Sequence, residues 1–134
     1  MNLIDKVALI SLSDDLRILS TRSHGRSRYY LPGGKREVGE SDLDTLVREA
    51  EEELSIDLQT ESAVFAGEFQ AQADAHPDGV VVQMRCYECA YRGEPIPTSE
   101  IAEVVWLSYS DRHMVSPVDQ AIFDHLRGNG RLSE

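Results

Sequence analysis

The sequence has few positive charges and no long apolar run. Its 134 residues include 13 lysines and arginines against 24 aspartates and glutamates, a formal net charge of −11 at pH 7. Because proteins that bind a nucleic-acid backbone normally present a basic face, this imbalance argues against a nucleic-acid partner. No stretch approaches the roughly 18 consecutive apolar residues of a membrane-spanning helix, so the sequence predicts no membrane partner either.

Cysteine is also scarce. Only Cys86 and Cys89 are present, and the first residues lack the basic start, apolar core and cleavage site of a signal peptide. These features fit a reducing compartment and predict a cytoplasmic location. The C-x-x-C spacing invites a zinc or redox interpretation, but a separation of three within a strand places the thiols on opposite faces. Zinc would also need two further ligands, so we interpret both as ordinary core or half-core residues.

What the sequence does contain is regular apolar periodicity. Strands are predicted at residues 3–12, 16–21, 28–31, 63–72, 79–91 and 103–108, and helices at 42–54 and 116–130. Pro32, Gly33 and Gly34 predict a turn between the third strand and the first helix. No repeat or linker interrupts the chain, which predicts one domain over residues 1–134. The order of elements favours an α/β fold in which a mixed sheet is covered by helices.

The first predicted helix carries an acidic patch away from its apolar stripe. Glu49, Glu52 and Glu53 lie at the i, i+3 and i+4 positions that share one side of a helix. In water such like charges repel one another by a few tenths of a kcal/mol per pair, roughly. A hard divalent cation reverses the sign, because Mg²⁺ takes carboxylate oxygens and keeps positions open for phosphate. On the helix alone, a solvated acidic face remains the simpler alternative.

The residues that flank this patch resemble the signature of the Nudix hydrolase family, G-x5-E-x7-R-E-U-x-E-E-x-G-U, where U is a bulky aliphatic residue. The matching positions are Gly34, Glu40, Arg48, Glu49, Glu52, Glu53 and Ile56. Ala50 replaces an aliphatic residue and Ser55 replaces the glycine after the helix, where a left-handed backbone is usual. The resemblance implies a Nudix-type α/β/α sandwich, with a mixed β-sheet between helices, as a single Nudix hydrolase domain.

The resemblance also implies a metal site and catalytic residues. Mg²⁺ or Mn²⁺ would be held by the carbonyl of Gly34 and by Glu49, Glu52 and Glu53. Glu52 or Glu53 would also serve as the general base toward water, a choice that the signature leaves open. Arg48 would orient the carboxylates without binding metal.

Outside the signature, the resemblance implies three further site residues. Glu100 is expected as an additional metal ligand, with Glu103 as the alternative. Arg22 ends the second strand where similar proteins place a phosphate-contacting arginine. Asp119 follows a Ser-Pro pair where some members place a polar residue against a base. For Arg22 the alternative is a surface arginine, and for Asp119 it is a plain first-turn residue.

Together these features predict metal-dependent hydrolysis of a pyrophosphate bond in a nucleoside diphosphate linked to another moiety. Nucleoside and deoxynucleoside triphosphates are among the candidate substrates. The alternative is a catalytically silent Nudix-fold domain that binds a nucleotide or regulates another protein. The predicted partner is a small-molecule nucleotide or nucleoside-diphosphate derivative, and the expected assembly is a monomer or homodimer.

Overall fold

The computed structural model describes residues 2–134 and contains eight strands and two α-helices. The strands are β1 (Asn2–Ile10), β2 (Ile18–Ser23), β3 (Gly33–Lys35), β4 (Asp57–Leu58), β5 (Val64–Gln72), β6 (Val80–Glu88), β7 (Tyr91–Arg92) and β8 (Ile101–Leu107). The helices are α1 (Asp42–Leu54) and α2 (Pro117–Gly128). Short 3₁₀ helices cover Thr60–Ser62 and Tyr109–Met114. None of the helices in residues 2–134 is both long and apolar enough to cross a membrane.

A mixed sheet forms the middle of the fold, as the sequence predicts. Its strand order is β3-β1-β6-β5, in which β1 runs parallel to β6 while the outer pairs are antiparallel. Two antiparallel pairs, β2 with β8 and β4 with β7, complete the strands. A parallel pair needs a long connection, which the chain between β1 and β6, with α1 and β5 in it, supplies.

Strand β1 divides the core into two apolar clusters. Val7 and Leu9 pack with the buried face of α1, whereas Ala8 and Ile10 pack with the buried face of α2. Successive side chains of a strand point to opposite faces, so one strand supplies both clusters. The sheet therefore lies between the two helices, which confirms the expected α/β/α arrangement.

Helix α1 begins and ends as its sequence predicts. The Ser41 hydroxyl accepts a hydrogen bond from the Asp44 amide, and the Asp44 carboxylate accepts one from the Ser41 amide, both at 3.1 Å. This capping box satisfies two amides at the start of the helix. In the same first turn, Asp42 accepts hydrogen bonds from Arg85 and Tyr87 of β6, which fixes the helix on the sheet.

Two predictions are wrong: the strand at residues 28–31 and the turn at Pro32-Gly33-Gly34. Tyr29 and Tyr30 form isolated bridges only, and the third strand is Gly33–Lys35, paired with β1. Gly33 has φ 149°, and a Cβ there would lie 2.1 Å from the Val7 carbonyl oxygen. The glycine pair thus permits a close strand pairing where its composition suggests a turn.

The remaining differences concern short elements. Strands β4 and β7 have two residues each and were not predicted, because two residues carry no periodicity. Strand β6 ends at Glu88, so the predicted 79–91 strand is shorter than expected. Cys86 is buried within it and Cys89 is half-buried beyond its end, and both are free thiols.

The helix end at Ser55 generates a stability prediction. Ser55 is exposed and left-handed, with φ 56° and ψ 35°, and its amide donates to the Glu51 carbonyl at 3.0 Å. An L-residue in this region costs about 1–2 kcal/mol, partly offset by the greater freedom of an unfolded glycine chain. We expect Ser55→Gly to raise the free energy of unfolding by up to about 1 kcal/mol in urea denaturation. Ser55→Ala, which keeps the Cβ, should give no gain; equal stabilisation by both changes would contradict this explanation.

Candidate active site

The acidic face of α1 lies directly against the backbone of β3. A Cβ on Gly34 would lie 2.5 Å from the carboxyl carbon of Glu49 and within 2.7 Å of both its oxygens. No side chain larger than hydrogen fits this position while Glu49 stays where it is. The glycine therefore brings the Glu49 carboxylate against the main chain of residue 34, the position where the signature expects a carbonyl ligand.

Arg48 holds the surrounding carboxylates in place. Its guanidinium donates to Glu40 through Nε at 2.8 Å and to Glu49 Oε1 at 2.8 Å, and to the Lys35 carbonyl at 3.2 Å. Glu52 lies 3.6 Å from the same group. The hydrogen bonds from Arg48 lower the pKa of Glu40 to about 2, with the Glu37 amide assisting. One fixed cation thus orients the acidic side of the helix, which is the geometry expected of an orienting residue.

Glu53 is the most enclosed carboxylate of the patch. It is 8% exposed, and its Oε1 accepts a hydrogen bond from the Gly33 amide at 3.0 Å. Burial raises its pKa to about 8; the charges of Glu49 and Glu100 add to the rise, while the Gly33 amide and Lys6 oppose it. Burial also raises the pKa of Glu49. The positive groups near the patch are therefore too few to stabilise all of its carboxylates in their charged form.

The loop before β8 brings Glu100 to this patch by capping the end of α1. The amides of Ile96 and Thr98 donate to the carbonyls of Leu54 and Glu53, each at 3.0 Å. These carbonyls have no partner within the helix, so the loop satisfies groups that would otherwise need water. Glu100 follows directly, and its charge acts on both Glu49 and Glu53.

The structure separates the two acidic candidates near β8. Whereas the charge of Glu100 acts on the patch, Glu103 accepts hydrogen bonds from Arg22 at 2.8 Å and from the Tyr29 hydroxyl. Arg22 also donates to the Arg26 carbonyl at 3.0 Å. Glu103 and Arg22 therefore brace the loop after β2. The structure does not bring Arg22 into the cavity beside the patch, which the neighbouring Arg26 lines instead.

Asp119 lies in the first turn of α2 and is fully buried. Its Oδ2 accepts a hydrogen bond from the Leu31 amide at 3.0 Å, whereas its buried Oδ1 has no partner in residues 2–134. Burial raises its pKa to about 7, with the Leu31 amide and the charge of Lys6 opposing the rise. A plain first-turn aspartate would be exposed to water. Asp119 is instead buried, and only one of its carboxyl oxygens accepts a hydrogen bond.

A cavity of about 210 Å³ opens beside Gly33, Gly34 and Glu53. Lys6 of β1 and Ser116, which precedes α2, contribute polar groups to its lining. Sequence reasoning missed both residues. A signal for Lys6 was present, because it interrupts a row of alternate apolar residues in β1; Ser116 carried none.

The donor groups fit a hard divalent cation. Within residues 2–134, no three acidic, histidine or cysteine side chains lie close enough together to hold one ion as they stand. Arg48 and the Gly33 amide hold the carboxylates of Glu49 and Glu53. These groups are nevertheless oxygen donors, and their negative charges raise one another's pKa. Because Gly34 has no side chain, the Glu49 carboxylate lies beside the main chain, where both could bind one ion.

Comparison with known proteins agrees with this geometry. The family model described as NUDIX domain matches residues 3–126. This chain belongs to the Nudix family. The predicted enzyme class, a Nudix pyrophosphohydrolase, is thereby confirmed, and Nudix hydrolases act on nucleoside diphosphate derivatives and generally use divalent metal ions. A search of curated proteins finds no significant match.

Solved Nudix structures share the fold over nearly the whole chain. A putative Nudix hydrolase from Chromobacterium violaceum is 25% identical with a TM-score of 0.73, covering 95% of this chain and 78% of that one. A MutT Nudix hydrolase from Burkholderia pseudomallei is 24% identical with a TM-score of 0.71, covering 95% and 98%. The dihydroneopterin triphosphate pyrophosphohydrolase of E. coli is 15% identical with a TM-score of 0.74, covering 96% and 99%. The last two likenesses show the shared fold alone.

Burial of Asp119 in this Nudix protein generates a pH prediction. Below its ordinary pKa of 3.8 the carboxyl is protonated in both the folded and the unfolded chain. As pH rises toward 7, the unfolded chain releases the proton first, so stability present at low pH is lost. Relative to Asp119→Asn, the wild type should lose up to about 1.4 kcal/mol per pH unit between pH 4 and 7 and then level off. Urea denaturation in chelator at pH 5, 6, 7 and 8 measures this difference.

The control for this experiment is Asp124→Asn. Asp124 is exposed, and its hydrogen bonds with Arg112 lower its pKa. Its contribution to stability is present above its ordinary pKa and is lost as pH falls, so any slope should have the opposite sign. Parallel curves for the wild type and Asp119→Asn would show that the Asp119 carboxyl does not titrate as its burial requires.

Proposed function

We propose that this protein hydrolyses a pyrophosphate bond in a nucleoside diphosphate linked to another moiety, with Mg²⁺ or Mn²⁺ at the acidic face of α1. Nucleoside and deoxynucleoside triphosphates are candidate substrates. The observation that carries the proposal is the contact between the Glu49 carboxylate and Gly34, with the cavity beside it. It supports a site where the diphosphate meets the cation while the nucleoside end enters the cavity.

The metal would be held by the Gly34 carbonyl and by the carboxylates of Glu49, Glu52, Glu53 and Glu100. When bound, the ion would neutralise charge on the phosphate oxygens and lower the pKa of a bound water. The donor set supports this assignment, because it combines hard oxygen donors with uncompensated negative charge.

Glu53 is the better candidate for the general base. Its Oε1 accepts from the Gly33 amide, which leaves Oε2 to take a proton from the attacking water. Glu52 is the alternative, but its side chain is 55% exposed. Arg48 keeps Glu49 oriented during these steps.

Substrate binding by Asp119 and Arg22 stays a prediction. Asp119 fixes the Leu31 amide beneath the cavity and has a free oxygen, which supports a role at the base end of the substrate. Arg22 would act by holding the Arg26 carbonyl and hence the loop at the cavity rim.

Three further expectations stay predictions as well. One Nudix domain spanning residues 1–134, a cytoplasmic location and a monomeric or homodimeric state are each consistent with the sequence. Gel filtration with light scattering would determine the last of these.

Metal binding gives the first test of the proposed function. A ligand that binds the native state alone stabilises it, so Mg²⁺ or Mn²⁺ should raise the thermal midpoint in proportion to its binding. Calorimetry should detect a divalent ion in the wild type and weaker binding in Glu49→Gln. Absence of binding in the presence of a non-hydrolysable nucleotide would remove the metal site from the proposal.

Glu53→Gln separates the enzyme from a silent nucleotide binder. The amide keeps an acceptor for the Gly33 N–H and replaces a buried carboxyl whose ionisation burial disfavours, so the thermal midpoint in metal-free buffer should stay the same or rise. Both roles of Glu53 need the carboxylate, so kcat on the best substrate should fall by at least about a hundredfold. Phosphate release from a panel of nucleotides, nucleotide sugars and dihydroneopterin triphosphate measures this, the last because the E. coli structural neighbour bears that activity in its name.

Glu51→Gln is the matched control, because Glu51 is exposed on another side of the same helical turn. It should leave hydrolysis nearly unchanged. Intact hydrolysis in both variants would place the active site elsewhere. Nucleotide binding without any hydrolysis by the wild type would establish the silent domain.

A further inference from the structure

Lys6 is the one charged member of the alternate row Ile4, Lys6, Ala8 and Ile10 on β1. Its alternate neighbours Ile4, Ala8 and Ile10 pack in the core beneath α2. No carboxylate or other acceptor in residues 2–134 lies within bonding distance of its ammonium, which stands 5.6 Å from the centre of the Tyr30 ring. A methionine or leucine would continue the row without this charge.

The position of Lys6 is costly for the free protein. Burial lowers its pKa, and the nearby charges of Asp119 and Glu53 offset this only in part. The half-buried ammonium has lost part of its water, and the Tyr30 ring 5.6 Å away offsets this loss only in part because it supplies no hydrogen bond. The hydrogen-bond donors of the ammonium are therefore open to a ligand in the cavity that Lys6 lines.

The surroundings of Lys6 indicate what it meets. It lines the cavity that opens at Glu53, together with apolar side chains such as Val82 and Met84. Ser116 lines the same cavity, and its hydroxyl lies beside the buried carboxyl of Asp119. Polar residues such as Arg26, Gln72 and Asp74 also line the cavity. This mixture of apolar and polar groups suits a heterocycle with polar edges, while the phosphates belong beside the cation site.

We propose that the Lys6 ammonium donates a hydrogen bond to a ring carbonyl oxygen of the substrate base, so that the site prefers carbonyl-bearing bases to adenine. A lysine offers three donors and no acceptor, so the ligand must supply the acceptor. Guanine, cytosine, uracil and thymine carry a ring carbonyl, whereas adenine has none. The hydrogen bond is charge-assisted and roughly twice as strong as a neutral one. This inference rests on the proposed function for its substrate class, a nucleotide.

The test compares monophosphates, which bind without being hydrolysed. In chelator, NMR titration of the wild type should give about tenfold tighter binding of GMP and UMP than of AMP. Lys6→Met removes the donor at similar length and should bring the three affinities together with little change for AMP. Lys6→Arg retains donors and should restore part of the preference. If triphosphates are hydrolysed, kcat/KM should be higher for GTP and UTP than for ATP, and the difference should lie in KM.

Lys35→Met is the matched control. Lys35 pairs with Lys6 across β1 and β3, but its side chain is exposed. Its loss changes the local charge equally and should leave the base preference intact. Removal of a half-buried charge should leave Lys6→Met at least as stable as the wild type; if this variant fails to fold, Lys6→Leu takes its place.

Three results would overturn the inference. The wild type could bind all three monophosphates equally. Lys6→Met could weaken all three to the same degree, which would assign Lys6 to the phosphate. It could also change nothing, which would make Lys6 structural. Absence of hydrolysis with the base preference intact would count against the proposed function and leave the role of Lys6 standing.

Discussion

The close approach of β3 to its two neighbours is the constraint on which the site depends. At residue 33 a Cβ would meet the backbone of Val7, and at residue 34 it would meet the carboxyl group of Glu49. The strand therefore pairs closely with β1 only because residue 33 is glycine. A larger residue at position 34 would displace the Glu49 carboxylate from the main chain that it now touches.

The carboxylates at this contact outnumber the positive charges around them. The guanidinium of Arg48 lies within 4 Å of four carboxylates, those of Glu37, Glu40, Glu49 and Glu52. One positive charge cannot neutralise four, and Glu53 lies deeper with only the Gly33 amide as its donor. Arg48 fixes directions while leaving negative charge in excess, which is what a site for a divalent cation requires.

The parts of this fold that could be predicted from sequence are those with local causes. Helix α1 was correct at both ends, because Ser41 and Asp44 cap it and Leu46, Ala50 and Leu54 set its period. Strand β3 was missed because its cause lies in β1, far along the chain. The burial of Asp119 depends on packing between distant elements, which no local pattern encodes, whereas Lys6 left a local signal by interrupting the alternate apolar residues of β1. The acidic patch could be identified because fixed spacing within one helix determines where carboxylates lie.

The hydrogen bonds from Ile96 and Thr98 to the end of α1 have a mechanical consequence. They tie the loop before β8 to the helix, so the position of Glu100 depends on the helix that bears Glu49 and Glu53. Carboxylates from distant parts of the chain are thus held on one side of the cavity. Any opening that admits a ligand at lower cost involves the other rim, where the loop braced by Arg22 and the turn held by Gln72 border the cavity. Changes in those two segments can alter what enters without disturbing the spacing of the carboxylates.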